Sequence, residues 1–459
     1  PEFFQYVLPR LAAAHSHIQP RMKNRAMCEI FGAYGWAEGI SMMRRLIDHM
    51  LVRGINHFVP HAFSPDYPDP DCPPHFNAGG CNPEFSGFAK LMRYTNQVCH
   101  LLEGATEQVS AAILYHAEAE WSGQKYMLTQ KPAKLLYDAQ LNYDILPIDA
   151  LMEQARVENG RLCVETMEYP VLIIPYAQVL PAAFLEKLRE LECRDARIAF
   201  VDGRPQDCTW GEVVPLMDVA GYVRKHSSVN VRLNQKFPLL RVFHGVRGDT
   251  NLFMVVNESM EADFDGQLQL PVTGSGTKLK MLEDSAYRVD TNDGAFNLKL
   301  CCGESAVFVF GDKSWIDLPR EPVYGQGIPL KGPWTLTLKR AHSTEETKMH
   351  LDKLYNVTGP EGDDTFSGWM RYETVFDVAN ADLLDLGLVG ECAHVWVNGV
   401  DVGMRIHAPY TFDISNALRE GENRLLVEVA NSLVHQQPDD FSRFVQIPPS
   451  GILGPVMLF

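Results

Sequence analysis

The hydrophobic pattern of this chain changes near residue 105 and again near residue 231. Strand-like and helix-like stretches alternate before residue 231, and the helices fade after it. A chain of 459 residues is also too long for one ordinary hydrophobic core. The sequence therefore predicts a multidomain protein with α/β units first and all-β units after them. The predicted domains are residues 1–104, 105–230, 231–320 and 321–459.

The first block has the order helix, strand, helix, strand, helix. A helix over residues 1–20 is followed by the short apolar strand "AMCEIF", and "INHFVPHAF" forms the second strand. Glycines end the two later helices, at Gly54 and Gly104. This order is typical of the closing units of a (β/α)8 barrel. Only two strands are present, so we expect the missing barrel segment in the same gene or in a second chain, because an open sheet edge would expose unpaired backbone groups.

The second block contains short strands that are almost entirely apolar, with helical stretches between them. Such strands indicate a parallel sheet covered on both faces, as in an open, flavodoxin-like α/β domain. Glycine-rich nucleotide-binding motifs are absent from the sequence of this block. The predicted strands are "VSAAILYHA", "YDILP", "RLCVET", "PVLIIP" and "ARIAFVD".

After residue 231 the pattern predicts a β-sandwich and then a second all-β domain. In the last block, Asn398-Gly399 between two strands is a strong signal for a two-residue hairpin turn. Four aromatic residues of this block either bind a sugar or pack in the core, as strand aromatics usually do. They are Trp369, Tyr372, Trp396 and Tyr410.

The net charge of −17 argues against a nucleic-acid partner, because phosphates would be repelled. No apolar run is long enough to span a bilayer, so we expect no membrane partner. The ten cysteines form no CxxC pair and are sparse for this length, which indicates neither a disulfide scaffold nor a zinc site. Reduced thiols favour a reducing compartment, and we expect the cytoplasm.

One carboxylate, Glu29, stands where the first visible strand ends, and a charge there is costly unless it has partners or a task. In a (β/α) barrel the active site lies at the carboxyl ends of the strands. Tyr34 and Trp36 follow in the adjoining loop, and an aromatic ring beside a carboxylate suits a sugar. Glu29 is therefore a candidate catalytic residue, and Tyr34 and Trp36 are candidate substrate-binding residues. The alternative is that Glu29 caps the helix starting near Ala37 or pairs with an arginine.

The second strand carries further candidate substrate-binding residues, Asn56, His57 and His61, which we expect on the same pocket rim. The following loop contains Asp66 and, at short spacing, two more aspartates. Closely spaced carboxylates bind calcium in some proteins, but the loop lacks the glycine and the length of an EF-hand. A solvated Pro/Asp loop is the competing interpretation. We assign no metal ligand from the sequence.

Two stretches together resemble a known enzyme family. The first is "FSGWMRYETVFDV", followed by "VWVNG", "PYTFDIS" and "GENRLLVEVAN", which is similar to the jelly-roll, galactose-binding-type domain of large glycoside hydrolases. The second is "CEIFGAYGW" with "RGINHFVPHAFS", which resembles their last two barrel strands. The whole layout resembles the C-terminal portion of α-L-rhamnosidase-like glycosidases and their β-galactosidase and β-glucuronidase relatives.

This resemblance implies a carbohydrate substrate and gives Glu29 the role of a catalytic carboxylate. Glycosidases usually use two carboxylates, and the second would lie on a barrel strand outside this chain. Glu29 would be the general base in an inverting, rhamnosidase-like enzyme, or the nucleophile in a retaining, galactosidase-like one. In the rhamnosidase-like case the resemblance also makes calcium a candidate cofactor, for which we assign no ligands. The competing hypothesis is a non-catalytic carbohydrate-binding or accessory fragment.

Overall fold

The computed structural model describes residues 7–64, 66–229, 231–311, 315–378 and 381–459. Residues 1–6 of the predicted first helix lie outside the described residues. The chain combines α/β units with several sheets, as the sequence predicts. None of the helices in the described ranges has both the length and the apolar composition that crossing a lipid bilayer requires.

The first unit, which we call the barrel-like unit, has two parallel strands with helices around them. In register, Met27 lies opposite His57 and Ile30 opposite Pro60. Ile30 is buried against the helices, because side chains alternate between the two faces of a strand. In chain order the elements are α1 (Leu8–Ile18), β1 (Met27–Ile30), α2 (Ile40–Leu51), β2 (His57–Pro60) and α3 (Phe85–Leu102).

The second unit contains a five-stranded, all-parallel sheet in the order β11-β10-β9-β4-β5. Its strands are buried on both faces: Ala112 and Leu114 face one core, and Ala111 and Ile113 face the other. This explains their apolar composition. The strands of this region are β3 (Thr106–Glu107), β4 (Ala111–Tyr115), β5 (Tyr143–Pro147), β6 (Ala155–Glu158), β7 (Arg161–Val164), β8 (Met167–Tyr169), β9 (Leu172–Ile174), β10 (Ile198–Val201) and β11 (Glu212–Val214). The helices are α4 (Ala117–Trp121), α5 (Gln130–Asp138), α6 (Ile148–Gln154), α7 (Ala182–Cys193) and α8 (Val219–His226).

Four strands of this region, β3, β6, β7 and β8, lie outside the parallel sheet. The predicted strand "RLCVET" contributes β7, which belongs to a separate antiparallel sheet, β6-β7-β8. The sequence interpretation was wrong in placing it in the parallel sheet, because a short apolar strand does not reveal its partner. Strand β3 pairs with the strand Leu240–Arg247 of the next unit, so residues 106–107 join two units.

The third unit packs a six-stranded sheet, β17-β16-β19-β14-β13-β3, over a three-stranded one, β12-β15-β18. The two sheets enclose one apolar core, as predicted for a sandwich. The additional strands are β12 (Arg232–Leu233), β13 (Leu240–Arg247), β14 (Thr250–Asn257), β15 (Phe264–Gln269), β16 (Ser275–Lys280), β17 (Ser285–Asp290), β18 (Ala295–Leu300) and β19 (Ser305–Phe310).

The last unit is all-β, with sheets in the orders β22-β21-β23-β29-β26-β27, β20-β31-β24-β28 and β25-β30. The predicted hairpin is confirmed: β26 and β27 are joined at Asn398 and Gly399, with φ of 53° and 82°. The strands are β20 (Ile328–Pro329), β21 (Trp334–Arg340), β22 (Glu346–Leu351), β23 (Gly368–Asp377), β24 (Leu383–Asp385), β25 (Leu388–Gly390), β26 (Cys392–Val397), β27 (Val400–Arg405), β28 (Thr411–Asp413), β29 (Glu422–Ala430), β30 (Gly451–Gly454) and β31 (Met457–Leu458).

One apolar cluster fixes the barrel-like unit against its neighbours. Ile47 of α2 and Leu91 of α3 share this cluster with Phe243 of the sandwich and with Cys392 and Ile406 of the last unit. Removing this much apolar surface from water is the main favourable contribution to such contacts. The two parallel strands are thereby held at a defined place in the molecule.

Candidate active site

The paired strands β1 and β2 present one open face. Met27 and Val59 are 59% and 53% exposed on it, although both are apolar. Glu29 stands next to last in β1, opposite Val59, and is exposed on the same face. A carboxylate thus projects from the carboxyl end of a parallel strand, where parallel α/β folds place their ligands.

In the described part of the chain, Glu29 neither caps a helix nor pairs with an arginine. Helix α2 begins after Gly39, and the amide of Ile40 donates to Glu84 rather than to Glu29. The nearby Arg25 pairs with Glu103. Within the described ranges, Glu29 takes part in neither a helix cap nor an ion pair with an arginine. Its carboxylate is therefore available to a ligand.

His61 lies beside Glu29 at the carboxyl end of β2. Its backbone amide donates to the Ile30 carbonyl over 2.9 Å, which ties it to the end of β1. A Cβ placed on Gly32 would lie 3.8 Å from the Glu29 Oε1 atom and 3.6 Å from the His61 Cγ atom. The structure therefore brings Glu29 and His61 together around Gly32.

Of the two loop aromatics, only Tyr34 reaches the surface near this place. Its side chain is 36% exposed, and burial, then Glu38 and Cys28, raise the pKa of its hydroxyl. Trp36 is only 7% exposed and packs edge-to-face on His75, at 5.6 Å between ring centroids. The prediction that Trp36 offers a sugar an open aromatic face is corrected here: the ring is a packing element under the loop.

Asn56 and His57 lie at the other end of β2, and their predicted place on the rim is corrected. His57 opens the strand on the exposed face, about 7 Å from Val59 along the chain direction. The Asn56 amide group joins the segment before β1, donating to the Asn24 carbonyl at 2.7 Å and accepting from the Ala26 amide at 3.0 Å. Asn56 precedes the strand and His57 is its first residue, whereas ligands of parallel strands gather at the carboxyl end.

Residues of the last unit hold the loop that follows β1 in place. No pattern in the sequence predicted this contact. The Trp36 amide donates to Asp439 Oδ2 at 2.9 Å, and the Ala37 amide donates to Ser442 Oγ at 2.9 Å. A Cβ on Gly35, whose φ is +81°, would lie 2.6 Å from the Ser442 backbone nitrogen. Close approach of the two units at this point requires glycine. The loop bearing Tyr34 is thus positioned by residues 400 positions away.

Three buried carboxylates surround the start of α2, behind this loop. Glu84 accepts from the Ile40 amide at 3.2 Å, and Glu391 accepts from the Ser41 amide. Both Glu38 oxygens lack a hydrogen-bond partner among the described residues. Burial raises the pKa of Glu38 to about 9 and that of Glu391 to about 7. Burial, and then the charge of Glu391, also raise the pKa of Glu84 well above its ordinary value.

Calcium takes oxygen ligands, and among the described residues the aspartates of the loop after β2 do not converge with one another in a group of three. Asp69 accepts the Asp71 amide at 2.9 Å, as in a local turn, and Asp66 is exposed. In the parts of the chain that are described, one group of three potential metal ligands converges, and its donors are nitrogen, oxygen and sulfur. It consists of His61, Asp71 and Cys72. This donor set does not suit calcium.

The aromatic residues of the last unit divide between core and surface. Tyr372 and Tyr410 are buried, and Trp369 packs on the cluster shared by the barrel-like unit. Trp396 packs on His394 with the rings tilted by 31° and their centroids 3.9 Å apart, and it lines an open groove together with His350. This groove is separate from the Glu29 rim, because the two share no lining residue.

Comparison with solved structures shows a fold that is shared over nearly the whole chain. A rhamnosidase from Novosphingobium sp. PP1Y has the same fold over 97% of this chain, with a TM-score of 0.73 and 21% identity. This chain covers 48% of that enzyme. The predicted resemblance to a rhamnosidase-like glycoside hydrolase is confirmed as a likeness of fold.

Shorter stretches are similar in sequence to curated glycosidases. A protein of Formosa agariphila named as a β-glucuronidase is 35% identical over 115 residues, which are 23% of this chain and 10% of that protein. A β-galactosidase of Clostridium acetobutylicum is 32% identical over 162 residues, covering 32% of this chain and 16% of the enzyme. No family model matches the chain. This chain thus spans about half the length of the Novosphingobium rhamnosidase. The aligned stretches cover less than a fifth of each of the two curated glycosidases.

Proposed function

We propose that this chain is the C-terminal part of a glycoside hydrolase and that Glu29 is one of its two catalytic carboxylates. The observation that carries the proposal is the placement of Glu29. It lies at the carboxyl end of a parallel strand, exposed beside His61, without the helix cap or arginine that would give it a structural role. A carboxylate without partners would be costly to bury. The exposed position of Glu29 therefore fits a residue that reacts with a substrate.

The open strand face supports a barrel completed elsewhere. Met27 and Val59 expose apolar surface on it, and β1 and β2 form a sheet of only two strands in the described chain. Two strands are too few to be stable alone, and further strands would cover these side chains. The added segment, from the same gene or a second chain, supplies the second carboxylate. The remaining units then act as a flavodoxin-like domain, a sandwich and a jelly-roll, galactose-binding-like domain.

The proposed substrate is a glycan or glycoside with a terminal α-L-rhamnoside-like sugar. The fold shared with a rhamnosidase favours this choice over the galactosidase- or glucuronidase-like alternatives. In an inverting enzyme Glu29 activates water, and the two carboxylates stand about 6.5–9.5 Å apart. In a retaining enzyme Glu29 attacks the sugar directly, at about 5–5.5 Å from its partner. Tyr34 and His61 are positioned to contact the sugar.

The test uses the full-length protein that contains this chain. Glu29→Gln keeps the shape of the side chain but removes the charge, so turnover of aryl α-L-rhamnosides should fall by about 10³-fold or more, as when an acid or nucleophile is lost. Glu420→Gln, at an exposed position of the last unit, is the matched control and should leave turnover unchanged. Undiminished turnover of the folded Glu29→Gln enzyme would exclude this role.

The stereochemistry of the first product separates the two mechanisms. NMR of the fresh sugar shows inversion if Glu29 is a base and retention if it is a nucleophile. A parallel panel of aryl β-galactosides and β-glucuronides distinguishes the substrate classes. Cleavage of those glycosides instead of rhamnosides would replace the proposed sugar while keeping the role of Glu29.

The groove beside Trp396 supports a second candidate function, non-catalytic carbohydrate binding. Its polar and aromatic lining on an exposed sheet face suits a sugar chain. Under this alternative, Trp396→Ala abolishes glycan binding measured by affinity electrophoresis, and Glu29→Gln changes nothing. Loss of turnover in Glu29→Gln with unchanged glycan binding in Trp396→Ala would favour the enzyme.

A further inference from the structure

Three side chains with metal-binding atoms converge where the loop after β2 folds back. The His61 Nε2 atom lies 3.1 Å from the Asp71 Oδ2 atom. The Cys72 Sγ atom completes the group, and all three donor atoms lie within 4.8 Å of one another. Cys72 is a free thiol. The group is therefore a mixed nitrogen, oxygen and sulfur donor set at one point.

The loop holds this convergence by contacts of its own. Asp71 Oδ1 accepts the Cys72 amide at 2.8 Å, which leaves Oδ2 facing His61. His75 contacts the Asp71 carbonyl through Nε2 at 3.2 Å and Ser64 Oγ through Nδ1 at 2.7 Å. The two ends of the loop are thus joined before any ligand arrives. A preformed site of this kind needs little reorganisation to bind an ion.

The chemistry of the three donors selects the ion. Zinc takes histidine nitrogen, carboxylate oxygen and thiolate sulfur at about 2.0–2.3 Å, in tetrahedral geometry. Donors around such an ion stand roughly 3.3–3.8 Å apart, so separations within 4.8 Å close by small side-chain rotations. The hard ions calcium and magnesium prefer oxygen ligands and avoid sulfur.

We propose that His61 Nε2, Asp71 Oδ2 and Cys72 Sγ bind one zinc ion and leave its fourth position open. The Asp71 side chain is 63% exposed, so the open position faces solvent. Sequence spacing gave no signal, because adjacent ligands at positions 71 and 72 match no CxxC-type pattern. The site lies next to the Glu29 rim, since His61 and Glu29 share the space above Gly32. A bound ion would fix the orientation of His61 there.

The proposal does not depend on glycosidase activity, and its test reads the metal directly. The reduced, metal-free full-length protein is titrated with Co²⁺, which occupies tetrahedral zinc sites. We expect intense visible bands and a near-ultraviolet thiolate-to-cobalt band, both lost when one equivalent of Zn²⁺ is added. Cys72→Ser should abolish the thiolate band. His61→Gln, which keeps the thiol, should weaken Co²⁺ binding at least about tenfold.

Matched controls come from the same region. Cys81→Ser and Asp66→Asn change a thiol and a carboxylate outside the group and should leave the spectrum unchanged. Circular dichroism confirms that each variant is folded. The proposal is overturned if wild-type protein gives no thiolate band, or if the band survives in folded Cys72→Ser. An equal loss in Cys81→Ser would also overturn it, since another thiol would then be the ligand.

Discussion

Buried carboxylates occur in two contrasting settings in this protein. Around the buried Arg10, Glu107 and Asp144 each accept a hydrogen bond from the guanidinium, at 2.8 and 3.0 Å. Around the start of α2, Glu38 has no hydrogen-bond partner on either oxygen among the described residues, and Glu84 and Glu391 repel each other. The same functional group is thus compensated in one region and left without a cation in the other.

The pKa values show what this difference means. Burial disfavours the charged form of Asp144, yet His17 and Arg10 lower its pKa below the ordinary range. Burial also opposes the charge of His17, but Asp144 and Glu107 raise its pKa. Near α2, burial acts unopposed and raises the pKa of Glu38 to about 9. Counter-charges, rather than depth, therefore decide which buried carboxylates stay ionised.

The charge network also explains how the units are joined. Arg10 belongs to α1, Glu107 to β3 of the sandwich sheet, and Asp144 to β5 of the parallel sheet. His17 adds a contact of 2.9 Å to Asp144, and the Tyr169 hydroxyl donates to Asp144 at 2.8 Å. Because all of these groups are buried, loss of one charge leaves the others without compensation.

The largest expected effect comes from breaking the compensated region. Arg10→Met keeps much of the side-chain volume but removes the guanidinium from Glu107 and Asp144, which leaves His17 to compensate both carboxylates. Removing one partner of a buried ion pair costs about 3–5 kcal/mol, so we expect a large fall in the urea midpoint at pH 7. Asp144, whose pKa Arg10 helps to lower, should then bind a proton more readily, and the defect should shrink as the pH is lowered toward 4.

The control for this prediction is Arg25→Met, which removes a cation from an ion pair with Glu103 at the surface. Screening by water makes such pairs contribute little, so the urea midpoint should hardly move. Equal decreases of the urea midpoint in Arg10→Met and Arg25→Met would show that the buried network stabilises the fold no more than a surface ion pair does. The comparison between the two carboxylate regions would then lose its physical basis.

The second expected effect is a gain of stability from the uncompensated region. Because the folded-state pKa of Glu38 is raised, the free energy of unfolding falls as the pH rises from the ordinary pKa of glutamate to about 9. Between pH 4.5 and pH 7 this amounts to about 3 kcal/mol at most. Glu38→Gln removes the titration, so it should raise the thermal midpoint at pH 7 and change it little at pH 4.5.

A matched variant keeps this second prediction specific. Glu420→Gln removes a fully hydrated carboxylate and should leave the pH dependence of the thermal midpoint unchanged. If Glu38→Gln lowers the midpoint at pH 7, the carboxylate has a stabilising partner. The contrast with the Arg10 network would then disappear.

Local signals predicted much of the fold. The alternation of helices and strands in the barrel-like unit follows from apolar spacing and terminal glycines. The turn at Asn398-Gly399 follows from that dipeptide, because both of its residues readily adopt the positive φ angles that the turn requires. The place of Glu29 at a strand end was predicted in the same way. The pairing of "RLCVET" was not, because strand composition does not identify the neighbouring strand.

The error at Trp36 has a physical cause in long-range packing. Trp36 is an aromatic residue of the kind that packs on sugars. Hydrogen bonds to Asp439 and Ser442, however, hold its loop against the last unit. Asn56 and His57 were expected on the same rim as His61, but they lie at the start of β2, and His61 follows its carboxyl end. No pattern in the sequence joins residues 403 positions apart.

The smallest expected effect on stability concerns a third kind of carboxylate, one compensated by N–H groups. Burial opposes the charge of Asp439, but hydrogen bonds from Ser442 and the Trp36 amide lower its pKa. Asp439→Asn weakens these bonds, which contribute about 1 kcal/mol. Since a depressed pKa stabilises only above the ordinary pKa of aspartate, the difference from wild type should vanish as the pH falls through the folded-state value.

Turnover, rather than stability, should reveal what Asp439 does. Asp439 holds the loop that bears Tyr34, so under the proposed function Asp439→Asn in the full-length protein should raise the KM for an aryl rhamnoside more than it lowers kcat. Asp440→Asn is the matched control, because that side chain is 93% exposed beside the same loop. Unchanged KM in Asp439→Asn would mean that the last unit stabilises the loop without shaping the site. The N–H-compensated carboxylate would then belong with the Arg10 network, as a structural device only.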